Sequence, residues 1–171
     1  MSSASVVRGS GPALAGLLML FLPAAPANAL PEIRYVGFPE GLESVARREC
    51  EAAYEQAAEW FEAELPGPVT VRWAVDPDEL RRRGIRNPEA VAGLANADAG
   101  LVLLSAPALA SRPDRLHPVI LHELAHLFVA RVTEGAAVLP PRWLNEGIAM
   151  WVSGEWDLGA DWRSNRATLL R

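Results

Sequence analysis

Val119 to Phe128 reads VILHELAHLF. Val129 and Ala130 continue the apolar run, so His122, Glu123 and His126 are surrounded by Val119, Ile120, Leu121, Leu124, Ala125, Leu127 and Phe128 on every side. A segment that is apolar all round is a buried helix, with no face left for water. An unpaired carboxylate in that setting costs several kcal/mol or takes up a proton. The three polar residues therefore need partners.

Residues four apart share a helical face with Cβ atoms about 6 Å apart, so His122 and His126 can turn two imidazoles onto one ion. Glu123 stands one step round the helix, able to reach a water on that ion and badly placed to ligate it with both histidines. This is the H-E-x-x-H pattern, in which two histidines hold zinc and the glutamate is the general base. A core His-Glu-His cluster satisfied by hydrogen bonds is the competing reading. Zinc also needs a third protein ligand and an open fourth position for water. The stretch LPPRWLNEGIAMWVSGEW (139–156) places Glu146 in a second helix, 20 residues after His126. Alone, Glu146 would read as a surface glutamate; beside HELAH it is the candidate third ligand. Arg142, Ala149, Met150 and Ser153 share its face, with Gly147 alongside, and small side chains there would let the two helices approach. Trp143, Leu144, Ile148, Trp151 and Val152 form an apolar band expected to pack into the core.

Upstream, EIRYVGF (32–38) alternates as a first strand. GLESVARRECEAAYEQAAEWFEAEL (41–65) reads as a long amphipathic helix ended by the Pro66-Gly67-Pro68 turn. VTVRWAV (69–75) is a β-branched strand. Asp76, Pro77 and Glu79 mark a short helix through about Arg83. Two short strands follow, near Val91–Ala95 and Gly100–Ser105, joined by the NADA turn, and APALASRPD (106–114) reads as a loop. Helices are expected from Pro118 to about Val132 and from Pro141 to about Ser153. The order gives an α+β domain, a small mixed sheet backed by helices.

Residues 1–29 have one charge at Arg8, an apolar centre from Ala13 to Leu22 and the small-x-small ending Ala27-Asn28-Ala29. That is the pattern of a signal peptide cut after Ala29, leaving 30–171 as one exported domain, periplasmic or extracellular, without stable membrane association. An uncleaved anchor is the rival, although the apolar centre is shorter than the roughly 20 residues a span needs. Without the leader, 15 arginines face 21 acidic side chains, and there is no lysine. An acidic chain with no basic cluster argues against nucleic acid or anionic lipid as a partner. Cys50 is the only cysteine, so no intramolecular disulfide can form, and it reads as a small apolar helix residue.

HELAH at 122–126, WLNEGIAMW at 143–151 and the interval between them resemble the gluzincin metallopeptidases, most of all the thermolysin-related peptidase MA-like group. GLANADAGLVLLS (93–105) resembles more loosely the strand pair leading into that family's zinc helix. The resemblance covers Gly93 to Val152. It implies a zincin-like catalytic domain with zinc on His122, His126 and Glu146, Glu123 as general base, and an extended peptide substrate bound along an edge strand near Leu101 to Leu104. Three features depart from the family. Its members continue into a helical lobe beyond the glutamate helix, whereas Arg171 lies 25 residues after Glu146. No tyrosine or histidine follows Glu146 to stabilise an oxyanion; Tyr35, Tyr54 and His117 all precede it. The carboxylate that such enzymes set one turn after the third ligand, to hold a histidine's tautomer, is Met150 here, a role open to Asn145 or a backbone carbonyl. His117, before Pro118, reads as a helix-start residue. The expectation is an exported zinc metallopeptidase acting on peptides or proteins. The alternative is a zinc-stabilised binding or scaffold domain with little hydrolysis.

Overall fold

A computed structural model of the chain describes residues 30–83, 85, 87–88 and 90–155. The expected leader at 1–29 lies outside them. Four strands, β1 (Ile33–Val36), β2 (Val69–Ala74), β3 (Gly93–Asn96) and β4 (Leu101–Ser105), form one sheet in the order β1-β2-β4-β3. β1, β2 and β4 run parallel, and β3 returns antiparallel to β4. Among the described residues five helices accompany them: α1 (Leu42–Phe61), α2 (Pro77–Arg82), α3 (Ala106–Leu109), α4 (Leu116–Val132) and α5 (Arg142–Val152), with a 3-10 turn at Pro113–Arg115 before α4. The mixed α+β class with a small mixed sheet agrees with the sequence expectation.

Alternation along the strands decides which helices each face receives. Val69, Val71, Trp73, Val102 and Leu104 join the main core with α1 and α4. Leu103 and Ala74 close a smaller cluster with Leu80 of α2. α4 lies at the centre, between α1, α5 and the sheet, and Phe128 stacks on Phe61 at 5.5 Å and meets Tyr54 at 5.4 Å between ring centroids. Cys50 is buried on α1.

Three elements differ from the sequence reading. α1 stops at Phe61 rather than Leu65: Glu62 takes a left-handed conformation, and Pro66 disfavours helix at Leu65. The last turn has no basic residue, and Glu59, Glu62 and Glu64 crowd an end where the helix dipole disfavours negative charge. The expected loop at 106–114 contains α3 and the 3-10 turn, each with a proline near its start. The apolar band of α5 is only partly internal: Val152 is buried, whereas Trp143 and Trp151 are 57% and 66% exposed and Leu144 is exposed too. Periodicity identifies an apolar face, and the described residues do not supply enough neighbours to cover it. Gly147 also faces open space, so it does not mediate the helix approach. Among the described residues no helix is long and apolar enough to cross a membrane.

Candidate metal centre

α4 presents His122, Glu123 and His126, and α5 presents Glu146. His122 Nε2 and His126 Nε2 both lie 3.7 Å from the same Glu146 oxygen, Oε2. The two rings stand edge to face, 4.9 Å apart. One ligand atom from each of these three residues falls within 4.8 Å of the others, a grouping able to hold a metal ion. Tetrahedral zinc with bonds of about 2.0–2.1 Å separates neighbouring ligand atoms by about 3.3 Å, close to the 3.7 Å from each Nε2 to Glu146 Oε2. Two imidazoles and one carboxylate suit zinc as a donor set, as they do other divalent ions of that class.

The far nitrogens of both rings face polar side chains away from the centre, and the Nε2 atoms face Glu146. His126 Nδ1 donates to Asn145 Oδ1 at 2.9 Å, the role that sequence reading left open to Asn145 when Met150 occupied the family's carboxylate position. Met150 is buried instead. His122 Nδ1 lies 2.7 Å from Glu155 Oε2, a close ion pair whose N–H direction is not aligned on the oxygen. Glu155 also pairs with Arg115 at 3.3 Å, and Glu146 Oε1 meets the exposed Arg142 at 3.5 Å. Sequence reading missed Glu155. Its signal was Gly154, a helix-terminating residue that turns the following side chain back toward the centre.

The electrostatics follow from burial and from this arrangement. Burial pulls His122 down, but contacts with Glu146 and Glu155 and the charge of Glu123 outweigh it and raise the metal-free imidazole to about 10. His126 is lowered by burial and by the His122 charge beside it. Contact with His122 holds Glu146 below its ordinary range against the opposing effect of burial. Burial would raise Glu155, and His122 and Arg115 together lower it. Glu123 is buried and is pushed up to about 7 by desolvation, moderated by His122 and by the backbone of Ala95. Three carboxylates thus gather round two imidazoles in a largely enclosed place. A cation at the Nε2 and Oε2 atoms would take the place of the proton that His122 holds in the metal-free protein.

Comparison with known proteins returns no likeness. No family model, curated protein or solved structure matches the chain.

The strand beside the centre is not the one that the sequence suggested. β4, which carries Leu101 to Leu104, is internal between β2 and β3, and β3 is the edge. Strand order is a three-dimensional property that a hairpin's sequence leaves open. Ser105 N donates to Ala92 O, so Ala92, Leu94 and Asn96 turn their backbone groups toward β4, and Gly93 and Ala95 turn theirs to the outer edge, which no described strand pairs. Glu123 sits directly against this edge. A Cβ at Gly93 would come within 2.6 Å of Glu123 Oε1, so glycine is what lets the carboxylate lie there. His117 is apart from the centre, pairing with Glu49 at 3.3 Å near the start of α4.

Proposed function

We propose that this chain is an exported zinc-dependent metallopeptidase of the gluzincin type, with a zincin-like fold, hydrolysing peptide bonds of a protein or peptide substrate. The observation that carries the reading is the convergence of two Nε2 atoms on one Glu146 oxygen, with Asn145 bonded to His126 Nδ1 and Glu155 lying against His122 Nδ1 on the far sides. His122, His126 and Glu146 would hold the ion. When bound, zinc supplies an acidified water and a Lewis acid for the scissile carbonyl.

Glu123 receives the proton of the attacking water and passes it to the leaving amine. Its carboxyl is buried and desolvated, which strengthens its hold on that proton. The adjacent edge of β3, unpaired among the described residues, offers the backbone groups of Gly93 and the carbonyl of Ala95 to an extended chain, which would bind by strand addition. The signal-peptide pattern of residues 1–29 supports export.

Purified protein is expected to carry about one zinc per chain. Glu123→Gln should keep the metal and lose cleavage of an unstructured peptide library by about a hundredfold or more. Zinc bound with no cleavage by wild type would favour a zinc-stabilised binding domain, whereas a protein that takes up no zinc would overturn the metal reading.

A further inference from the structure

We infer that Glu155 is the positioning carboxylate of the centre: tethered by Arg115, it commits His122 Nδ1 as a donor and aims His122 Nε2 at the metal. The inference rests on the metal reading above and assigns a residue that neither the H-E-x-x-H pattern nor the Glu146 helix contains.

The local backbone brings Glu155 to this place. α5 ends at Val152, Ser153 N bonds to Ala149 O, and Gly154 N reaches Trp151 O. Gly154 has φ +70°, the left-handed conformation that closes a helix and that glycine adopts without a Cβ clash. The chain therefore leaves the α5 axis, and the next side chain turns toward α4. Its carboxylate divides its two oxygens: Oε2 lies 2.7 Å from His122 Nδ1, within reach of the N–H after a small turn of the metal-free ring, and Oε1 lies 3.3 Å from Arg115 Nη2. Arg115 is the last residue of the 3-10 turn, immediately before α4. The carboxylate is thus held from the turn that leads directly into the histidine's helix, by a residue 40 positions away from it in the chain.

Glu155 is not a ligand. It stands on the Nδ1 side of His122, while the Nε2 side faces Glu146. A carboxylate behind a metal-bound imidazole fixes its tautomer and strengthens it as a donor, and removing such a partner costs about 10–100-fold in metal affinity. The two histidines are then unequal. His122 is backed by a charged carboxylate and His126 by the neutral amide of Asn145.

The test is zinc affinity, measured by competition with a chromophoric chelator, together with the exchangeable imidazole N–H resonances of the zinc-loaded protein. Glu155→Ala should bind zinc about 10–100-fold more weakly than wild type, and more weakly than Asn145→Ala. It should also lose the slowly exchanging Nδ1–H signal of His122. Glu155→Gln, which keeps an acceptor oxygen, should recover part of both. Arg115→Ala should weaken binding in the same direction by less, and should add little in the Glu155→Ala background, because the two act as one unit. A residue that merely straps the end of α5 would leave affinity within about threefold of wild type and leave the N–H signal in place, and either result overturns the assignment. If Glu155→Ala does not fold, the Gln and Arg115 variants decide by the same criteria. A wild-type protein that binds no zinc removes the metal centre itself and this assignment with it, whereas tight wild-type binding unaffected by the variants removes only the assignment.

Discussion

α4 is apolar on every side and enclosed by α1, the sheet and α5, whereas α5 buries Ala149, Met150 and Val152 and leaves both its tryptophans largely in solvent. Both bring ligand groups to one point. On α4 the histidines are fixed by the packing of the domain, which would place them whether or not an ion is present. On α5 the position of Glu146 depends on a narrow buried strip and on polar links across to α4, through Asn145 to His126 and, just past the helix end, through Glu155 to His122. One half of the centre is a product of the hydrophobic core. The other half is docked to it.

The sharpest way to break this contrast is at Phe128. It is fully buried between Tyr54 and Phe61, so Phe128→Ala should destabilise the zinc-loaded protein by about 3–5 kcal/mol in denaturant unfolding. A loss below about 1 kcal/mol would mean that α4 is not the structural centre.

A second test concerns the junction of the helices in the metal-free protein. His122 is raised from 6.5 to about 10 in the folded state, so the stability it contributes is fully present below 6.5 and is lost as pH rises through about 10. Glu123, raised from 4.5 to about 7, acts with the same sign at lower pH. His126, lowered from 6.5, acts with the opposite sign below that value, so in chelator the urea midpoint should fall as pH climbs from 6.5 to about 10. With zinc bound, His122 enters as the neutral ligand and its part of the slope should largely disappear. A metal-free midpoint that rises with pH would contradict the assigned contacts.

The smallest effect belongs to the outer face of α5. Trp151→Ala should change the unfolding free energy of the described domain by no more than about 0.5 kcal/mol, despite removing the largest side-chain type, because the residue is mostly exposed. A larger loss would show that this face is covered after all.

The same contrast marks what could be read from sequence. HELAH was legible because four-residue spacing on a helix fixes a shared face, a local property. Glu146 and Asn145 were legible as neighbours on one further helix opposite it. Glu155 was not, since its role depends on one left-handed glycine and on a contact with Arg115 across 40 residues. The exposure of Trp143 and Trp151 was misread because an apolar stripe does not reveal whether a partner covers it. The edge strand was misplaced because hairpin residues identify a pair of strands, while the sheet's order depends on which of the two meets β2. Local periodicity was readable, and the long-range pairing was not.

Cys50, unremarkable beside these groups, has a practical consequence. It is the only thiol in the chain, 1% exposed, and desolvation pushes it up to about 12, so it stays protonated and shielded from alkylating reagents while the domain is folded. A cysteine introduced at the exposed end of α5, as Trp151→Cys, would therefore be the one site that a maleimide probe labels. Whether α5 shifts when zinc is added could then be followed by fluorescence or spin label, with no background substitution needed.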